Sequence, residues 1–326
     1  MHLEKTTILE IGQTICGTFL RGYHDENTVF QGIRKDAIRE AMIGETVENA
    51  RPLKVEFNLF GVDGNMSLAL GNGNRTTKVG FKNIREYGQK IYKTVGEHNE
   101  QLGGLPVLRA FPTGDIHIKG APSREAYNKY VHRPSFGYRD CFSSYGLLDY
   151  WLKHMMILEE APEKAPIELS AVKCSIVKAM GPEGMGIISD ITIRLYKGGL
   201  FLKLIDGREV SVKNLSDGYR RILDIVFRAA LLNKHVFKEN PGEQSSGVVF
   251  IDEIDLHLHP ALQKVVLQGL QAAFPRIQFI VTTHAPMVIT RIPDNENNQV
   301  LKLSYTNETG YLVETVSGYT VKANMK

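Results

Sequence analysis

Residues 247–260 read GVVFIDEIDLHLHP, and this stretch decides the fold. The apolar run 248–251 is typical of a strand that is buried on both faces of a parallel sheet. Two adjacent acids, Asp252 and Glu253, come directly after it. Ligands of open α/β sheets bind beyond the carboxyl ends of the strands, so both carboxylates are expected at a ligand site. Taken alone, the acids could also simply cap the next loop or helix.

The stretch QFIVTTHAP (278–286) predicts a second buried strand, which ends in two threonines and His284. His284 lies 32 residues after Asp252, the length of one helix and one strand. A β-α-β crossover would therefore bring the imidazole beside Asp252 at the same edge of the sheet. There it could contact a phosphate or an attacking water. A lone histidine at such a place is more often structural.

The stretch LSDGYRRILDIV (215–226) predicts a turn of Ser216, Asp217 and Gly218 that opens an amphipathic helix. The first backbone N–H groups of a helix have no partner within the helix, and the helix dipole favours negative charge there. Such a turn is therefore suited to bind phosphate. In isolation, a plain helix cap is the commoner explanation of the same residues.

Together these three segments resemble the motif set of the ABC-type ATPases, in the order of that family. The set comprises the signature motif, the Walker B strand with its catalytic glutamate, the D-loop and the switch histidine. The SDGYRR form and the HLHP after the acids look like the RecF/SMC/OLD-like AAA ATPases of bacterial DNA repair and phage defence. LPVLRAFPTG and the segment 137–153 also look like the ATPase subunits of Septu and retron-linked defence systems. The resemblance spans roughly residues 5–318.

This resemblance implies ATP and Mg²⁺ as cofactors. It implies that Asp252 serves Mg²⁺ through water, that Glu253 is the general base and that His284 senses the γ-phosphate. It further implies an ATP-driven homodimer, in which the turn at 216–218 of each subunit caps the nucleotide held by the other. A nuclease or another effector would be the partner, and DNA is a ligand by analogy alone.

The amino terminus looks like the end of a phosphate-binding P-loop. A complete loop reads G-x-x-x-x-G-K-[ST] after a strand, and here Lys5, Thr6 and Thr7 open a helix predicted for residues 5–20. Glu4 stands where the loop has glycine. The resemblance implies that Lys5 contacts the β- and γ-phosphates and Thr6 the Mg²⁺, with Thr7 in the same site. We expect the chain to begin inside the loop and to bind ATP weakly, or not at all, by itself.

The order of the remaining strands and helices predicts an α/β fold with a mostly parallel sheet. The resemblance implies that this is an ABC-type P-loop NTPase core with an antiparallel β subdomain and a helical insertion. We expect a single domain over residues 1–326. Its parts are a partial nucleotide-binding lobe at 1–80, a helical and loop-rich insertion at 81–180 and the motif-bearing lobe at 181–326. Further elements are predicted as a hairpin at 53–70, helices at 81–100, 145–155, 167–180, 217–233 and 261–273, strands at 105–111, 188–196, 199–207 and 208–214, and a β-rich tail.

Bulk properties exclude several classes of protein. The chain has no apolar run of 18 residues and no secretion signal at its start, so we expect it to be neither membrane-spanning nor exported. Cys16, Cys141 and Cys174 lie far apart, which favours reduced thiols in the cytoplasm. The net charge of +3 is too small to indicate nucleic-acid binding.

Four alternatives to the ATPase interpretation are considered. The runner-up is a catalytically impaired, truncated ATPase that acts as a binding scaffold for a partner nuclease. A transporter subunit is disfavoured by the form of the signature segment. His257 and His259 could instead be metal ligands, but no third ligand is evident in the sequence. A nuclease within this chain is disfavoured, because the 42 residues after His284 are too few for a Toprim domain.

Overall fold

A computed structural model describes the greater part of the chain. The described residues are 3–23, 40–43, 46–49, 53–70, 76–97, 105–113, 138, 141–142, 148–160, 166–194, 196, 199–230, 245–293, 295–306 and 310–317. Most of the loop-rich span predicted for 112–137 lies outside them.

The described chain contains both helices and strands. Their order is α1 (Leu3–Leu20), β1 (Glu40–Ile43), β2 (Thr46–Asn49), β3 (Leu53–Leu59), β4 (Val62–Leu70), β5 (Thr76–Val79), α2 (Phe81–Glu97), β6 (Val107–Phe111), α3 (Leu148–Glu160), α4 (Pro166–Met180), β7 (Ile188–Arg194), β8 (Gly199–Leu204), β9 (Glu209–Ser211), α5 (Asp217–Ala230), β10 (Gly247–Ile251), α6 (Pro260–Gln263), α7 (Val266–Ala273), β11 (Ile277–Val281), α8 (Pro286–Ile289), β12 (Val300–Thr306) and β13 (Gly310–Val316). In the described residues no helix combines the length and the apolar character needed to cross a membrane.

The centre of the fold is a parallel sheet in the order β11-β10-β6. All five residues of β10 and of β6 are buried. Such continuous burial is expected of strands covered on both faces, and it explains the uninterrupted apolar sequence of β10. The strands β6 and β10 pair in the parallel sense, as do β10 and β11.

Antiparallel sheets surround this centre. They are formed by β1-β2, β3-β4-β5, β7-β8-β9 and β12-β13. The hairpin predicted for residues 53–70 is the β3-β4 pair, with Leu59 opposite Val62. A parallel sheet with helices and separate antiparallel sheets is the α/β architecture that the sequence predicts, and that part of the prediction is confirmed.

Several boundaries differ from the expected ones, four of them with consequences for the fold. The helix predicted for 261–273 is interrupted at Lys264 and Val265, which lie between α6 and α7. The strand predicted for 208–214 ends at Ser211, whose hydroxyl accepts from the Lys213 N–H at 3.4 Å and starts a 3-10 turn. The strand predicted for 278–283 ends at Val281, so both threonines come after it. Finally, β6 lies within the span expected to be an insertion, yet it pairs with β10.

Close packing of α1 against the sheet explains why residue 12 is glycine, although glycine is unfavourable within a helix. A Cβ on Gly12 would lie 2.4 Å from the Phe250 ring of β10. Glycine costs roughly 1 kcal/mol against alanine within a helix. Here the missing side chain lets the helix backbone contact a buried aromatic ring. The helix is thereby held against β10.

Helix α5 is buried almost throughout, although its sequence predicts an amphipathic helix with one polar face. Residues 221–230 are all buried, charged side chains included. Asp224 and Arg228 form an ion pair at 2.7 Å, and the Arg228 guanidinium lies 4.4 Å from the centre of the Phe111 ring. Burial raises the pKa of Asp224, and Arg228 opposes that shift. The polar face of the helix therefore packs against β6 instead of facing water.

Two glycines, one in α2 and one in the turn after α1, allow these helices to approach each other closely. A Cβ on Gly88 would lie 2.0 Å from the Phe19 carbonyl oxygen, and one on Gly22 would lie 2.3 Å from the Arg85 carbonyl oxygen. Both obstacles are backbone atoms, which cannot rotate away. This contact fixes the position of α1, which carries the amino-terminal motif.

Replacing Gly88 by alanine is expected to lower the free energy of unfolding by about 1–3 kcal/mol, because the two backbones must separate. The gain in helix propensity, roughly 1 kcal/mol, acts in the opposite direction. Urea denaturation monitored by far-UV circular dichroism measures the difference. Lys90→Ala on the exposed face of α2 is the control and should change stability by less than about 0.5 kcal/mol. A Gly88→Ala protein as stable as the parent would contradict the close contact.

Candidate functional site

The site forms where β10 and β11 end. Ile251 pairs with Val281, so Asp252 and Thr282 are the next residues on neighbouring strands. The Asp252 N–H donates to the Phe111 carbonyl, and the Thr282 N–H donates to the Ile251 carbonyl, both at 2.9 Å. The ladder thus continues past the strands and holds both residues side by side. The crossover argument predicted this shared edge for Asp252 and His284.

Two hydroxyl groups hold the Asp252 carboxylate. Thr282 Oγ1 donates to Oδ1 at 2.6 Å, and Thr6 Oγ1 donates to Oδ2 at 3.1 Å. Asp252 itself is only 4% exposed. A buried carboxylate needs such donors, because an ion without them would lose its hydration uncompensated. Thr6 and Asp252, far apart in sequence, are therefore direct neighbours.

The first turn of α1 lies at the same edge. Lys5 Nζ donates to the Thr283 carbonyl oxygen at 2.8 Å. Helix α1 begins at Leu3, so the backbone N–H groups of its first turn are those that an anion would meet. Thr7, the third predicted residue of this segment, is half-buried on the same turn. An ammonium group and a helix start thus face the end of β11 together.

Glu253 follows Asp252 after β10, and His284 lies two residues after Thr282 beyond β11. Glu253 is half-buried and has a φ of 46°, a conformation that L-residues rarely adopt. Its N–H donates to Thr282 Oγ1 at 2.8 Å, which holds this backbone in place. His284 is exposed, and its N–H donates to Asp255 Oδ1 at 3.3 Å. Both predicted catalytic residues therefore lie at the edge that carries Asp252.

Arg221 belongs to this site, although the motifs in the sequence did not identify it. One guanidinium nitrogen donates to the Asp252 carbonyl oxygen. Burial lowers the pKa of Arg221, whereas the nearby carboxylates of Asp252, Glu253 and Asp255 raise it. The guanidinium places a positive charge behind three acids and joins α5 to the end of β10. The sequence pattern gave no signal for this role, since Arg221 lies on the polar face of the predicted helix, which is expected to face water.

The turn at 216–218 approaches the loop that comes after β10. Ser216 is exposed, Asp217 is the first residue of α5, and Gly218 is buried. A Cβ on Gly218 would lie 2.4 Å from the His257 carbonyl oxygen, so only glycine permits this contact. Arg221, one helical turn later, is the residue through which α5 reaches Asp252. Ser216 itself faces outward at the start of the helix.

The two histidines of the LHLHP segment have separate structural environments. His259 Nδ1 accepts from the Ala261 N–H at 3.3 Å and thereby caps α6. His257 is exposed and has a φ of 61°. Among the described residues, no three of the histidines, cysteines and acids lie together as a metal site would require. The metal alternative loses its support there.

The residues at the strand ends fit a magnesium nucleotide. A hydroxyl that donates to a carboxylate keeps its oxygen lone pairs for a cation, and Thr6 does this with Asp252. Asp252 is then suited to hold a water bound to that cation. Magnesium usually keeps several waters and needs few protein ligands when phosphates supply the rest. Lys5 and the start of α1 would meet those phosphates.

Residues 157–289 match the family described as the AAA ATPase domain. This span runs from α3 to α8 and includes the turn at 216–218, both acids after β10 and His284. The resemblance to ATPases of this class is therefore confirmed over the part of the chain that carries these motifs.

Similar proteins include a retron ATPase and a Septu protein of bacteria. The Retron Vc95 probable ATPase of Vibrio cholerae serotype O1 biovar El Tor is 41% identical over 104 residues, which are 31% of this chain and 20% of that protein. The Septu protein PtuA of Bacillus mycoides strain KBAB4 is 39% identical over 85 residues, 26% of this chain and 12% of its own length. The matched segments thus span a fifth or less of these relatives.

Among solved structures, an SMC head bound to the C-winged helix domain of ScpA is similar to this chain. The match includes 94% of this chain and 86% of the chain of that structure. It is 14% identical, with a TM-score of 0.47. A likeness of this size carries no argument about function.

Replacing His259 by alanine is expected to destabilise the protein by about 0.5–1 kcal/mol through the lost cap of α6. Added Zn²⁺ should raise the melting temperature of neither the parent protein nor the variant. Thermal denaturation with and without Zn²⁺ measures both effects, with His257→Ala as the matched histidine control. A zinc-dependent rise that both substitutions remove would restore the metal alternative.

Proposed function

We propose that this chain carries the Mg²⁺-dependent ATP-hydrolysis site of an ABC-type AAA ATPase. The observation that supports the proposal is the meeting of α1, β10 and β11 at one edge. Thr6 and Thr282 both bond the Asp252 carboxylate there, and Lys5 reaches the residue after Thr282. A hydroxyl, a carboxylate and an ammonium group at a helix start are the groups that a magnesium triphosphate requires.

In this proposal the start of α1 binds the phosphates. Lys5 would turn from the Thr283 carbonyl to the β- and γ-phosphates, since a charge-assisted bond to phosphate is stronger than one to a neutral carbonyl. Thr6 and Asp252 would hold Mg²⁺, which bridges phosphate oxygens and neutralises charge when it is bound. The buried Arg221 keeps the Asp252 carbonyl in place behind that site.

Glu253 would act as the general base. Its backbone is fixed by the bond to Thr282 and by the neighbouring Asp252, which leaves the side chain half-buried at the edge of the sheet. A carboxylate held there could accept a proton from water that attacks the γ-phosphate. His284, on the exposed side of the same edge, would contact the γ-phosphate.

We infer a homodimer as the working form. Ser216 lies exposed at the start of α5, where a helix terminus could meet a phosphate held by the second subunit. Closing the dimer on ATP and opening it after hydrolysis would transmit a signal to an effector. The similarity to a retron probable ATPase and to a Septu protein supports a role in anti-phage defence, with a partner nuclease as the effector. DNA as a ligand, and a place in DNA repair, rest on analogy.

Nucleotide binding by this chain is expected to be weak but specific, with a Kd on the order of 0.1–10 mM. The reason is that Glu4 stands directly before Lys5, where the phosphate-binding loop has glycine, and its carboxylate would repel the phosphates. Ligand-observed NMR with Mg-ATP measures the affinity, and calorimetry covers the tighter range. Lys5→Ala and Asp252→Asn should abolish binding, and Lys90→Ala on α2 should leave it unchanged.

Binding that is insensitive to Lys5→Ala would contradict the proposed site. Absence of binding together with an intact complex with a partner would favour the second candidate, a scaffold that has lost turnover. A micromolar Kd would show instead that this chain is sufficient to surround the phosphates.

Replacing Glu253 by glutamine is expected to increase the fraction of dimer in the presence of Mg-ATP, because the base that ends the closed state is lost. Analytical ultracentrifugation at saturating nucleotide measures that fraction. Ser216→Ala in the same background should reduce it, whereas Ser170→Ala on the exposed side of α4 should not. A monomer under all these conditions would exclude dimerisation by ATP alone.

A further inference from the structure

Two consecutive threonines after β11 each bond an acid of the loop after β10. Thr282 Oγ1 donates to Asp252, and Thr283 Oγ1 donates to Asp255. The first of these bonds belongs to the proposed metal site. The second lies one residue further from the strands, and nothing in the proposed reaction uses it. Its geometry suggests a separate role.

Thr283 connects three elements of the site. Its hydroxyl donates to Asp255 and accepts from the Ala285 N–H at 3.0 Å. Its carbonyl accepts from Lys5 Nζ at 2.8 Å. Asp255 Oδ1 also accepts from the His284 N–H at 3.3 Å. The backbone of His284 is thus held on both sides by bonds that lead to Asp255, while its ring is exposed.

Asp255 is itself fixed by the loop that carries it. Ile254 is 1% exposed, and its N–H donates to the Thr282 carbonyl at 3.0 Å. The Leu258 N–H donates to the Asp255 carbonyl at 3.0 Å. Positive φ angles at Glu253 and His257 bend the chain on either side. A carboxylate on a loop anchored in this way can hold a neighbouring segment in place, since it has little freedom to move with that segment.

We propose that Asp255 and Thr283 are positioning residues that hold His284 at the phosphate site. This inference rests on the proposed function. In that reaction Lys5 leaves the Thr283 carbonyl for a phosphate, which removes one of the bonds on the switch segment, residues 282–285. The bonds from Asp255 then keep His284 at the edge of the sheet. In this proposal Asp255 and Thr283 act through His284 and are given no contact of their own with the nucleotide.

The experiment compares Thr283→Val, which removes the hydroxyl at nearly constant shape, with Thr283→Ser, which keeps it. Asp255→Ala removes the bonds from the other side. Thr290→Val is the control, because that hydroxyl bonds the Met287 carbonyl outside the switch segment. The readout is amide hydrogen exchange of His284, measured by NMR in the nucleotide-free 326-residue chain. Melting temperatures show that each variant is folded.

Thr283→Val and Asp255→Ala are expected to accelerate exchange at His284 by about tenfold, whereas Thr283→Ser and Thr290→Val should stay within about twofold of the parent. Exchange unchanged by Thr283→Val, or raised equally by Thr283→Ser, would overturn the proposal. This arm needs no nucleotide, so it tests the bonds that hold His284 separately from the proposed function.

Turnover supplies the second readout, measured at saturating Mg-ATP in any preparation in which the parent hydrolyses ATP. Thr283→Val should lower kcat about tenfold with little change in KM, and Thr283→Ser should restore it. Equal turnover in the parent and Thr283→Val would overturn the proposal while the proposed function stood. A parent that neither binds nor hydrolyses ATP would overturn the proposed function and leave hydrogen exchange to decide the bonds at His284.

Discussion

Parallel pairing of β10 with β11 is the constraint on which the site depends. Opposite residues of the two strands reach the edge of the sheet together, and the ladder continues by one hydrogen bond on each side. Asp252 and Thr282 are therefore neighbours by register. A slip of one residue would turn every side chain of β11 to the opposite face and remove the threonine from the carboxylate. The positions of Lys5 and Asp255 depend on that register, since both bond the residue after Thr282.

The buried position of these residues makes the arrangement rigid, but burial of their charged groups is unfavourable in free energy. Charged side chains of α5 lie in the interior, where an ion without a partner is strongly destabilising. Asp224 and Arg228 pair with each other, and Arg221 bonds the backbone of Asp252. The same low-polarity surroundings strengthen every bond to the Asp252 carboxylate. Because Arg221 joins α5 to Asp252, a shift of α5 would also displace the end of β10.

Much of this could be predicted from the sequence, because strand ends and helix starts have local signals. The apolar run before Asp252 predicts a buried strand, and the crossover length predicts that His284 returns to the same edge. Arg221 and Asp255 escaped prediction for a different reason. Each acts through a bond to a residue distant in sequence, and no spacing rule relates them. The break between α6 and α7 was likewise missed, since propensity only weakly constrains a short apolar helix.

By itself, the sequence determined the α/β class, the order of the motifs and the edge at which Asp252, Glu253 and His284 meet. Periodicity and the rules of parallel connection suffice for these, because they depend on neighbours along the chain and on handedness. Only the tertiary structure decided which oxygen atom accepts a hydrogen bond from which donor. The bonds from Thr6 to Asp252 and from Thr283 to Asp255 depend on how separate elements pack against each other. A shift of a few tenths of an ångström decides whether such a hydrogen bond forms, and the spacing of residues in the sequence does not reveal it.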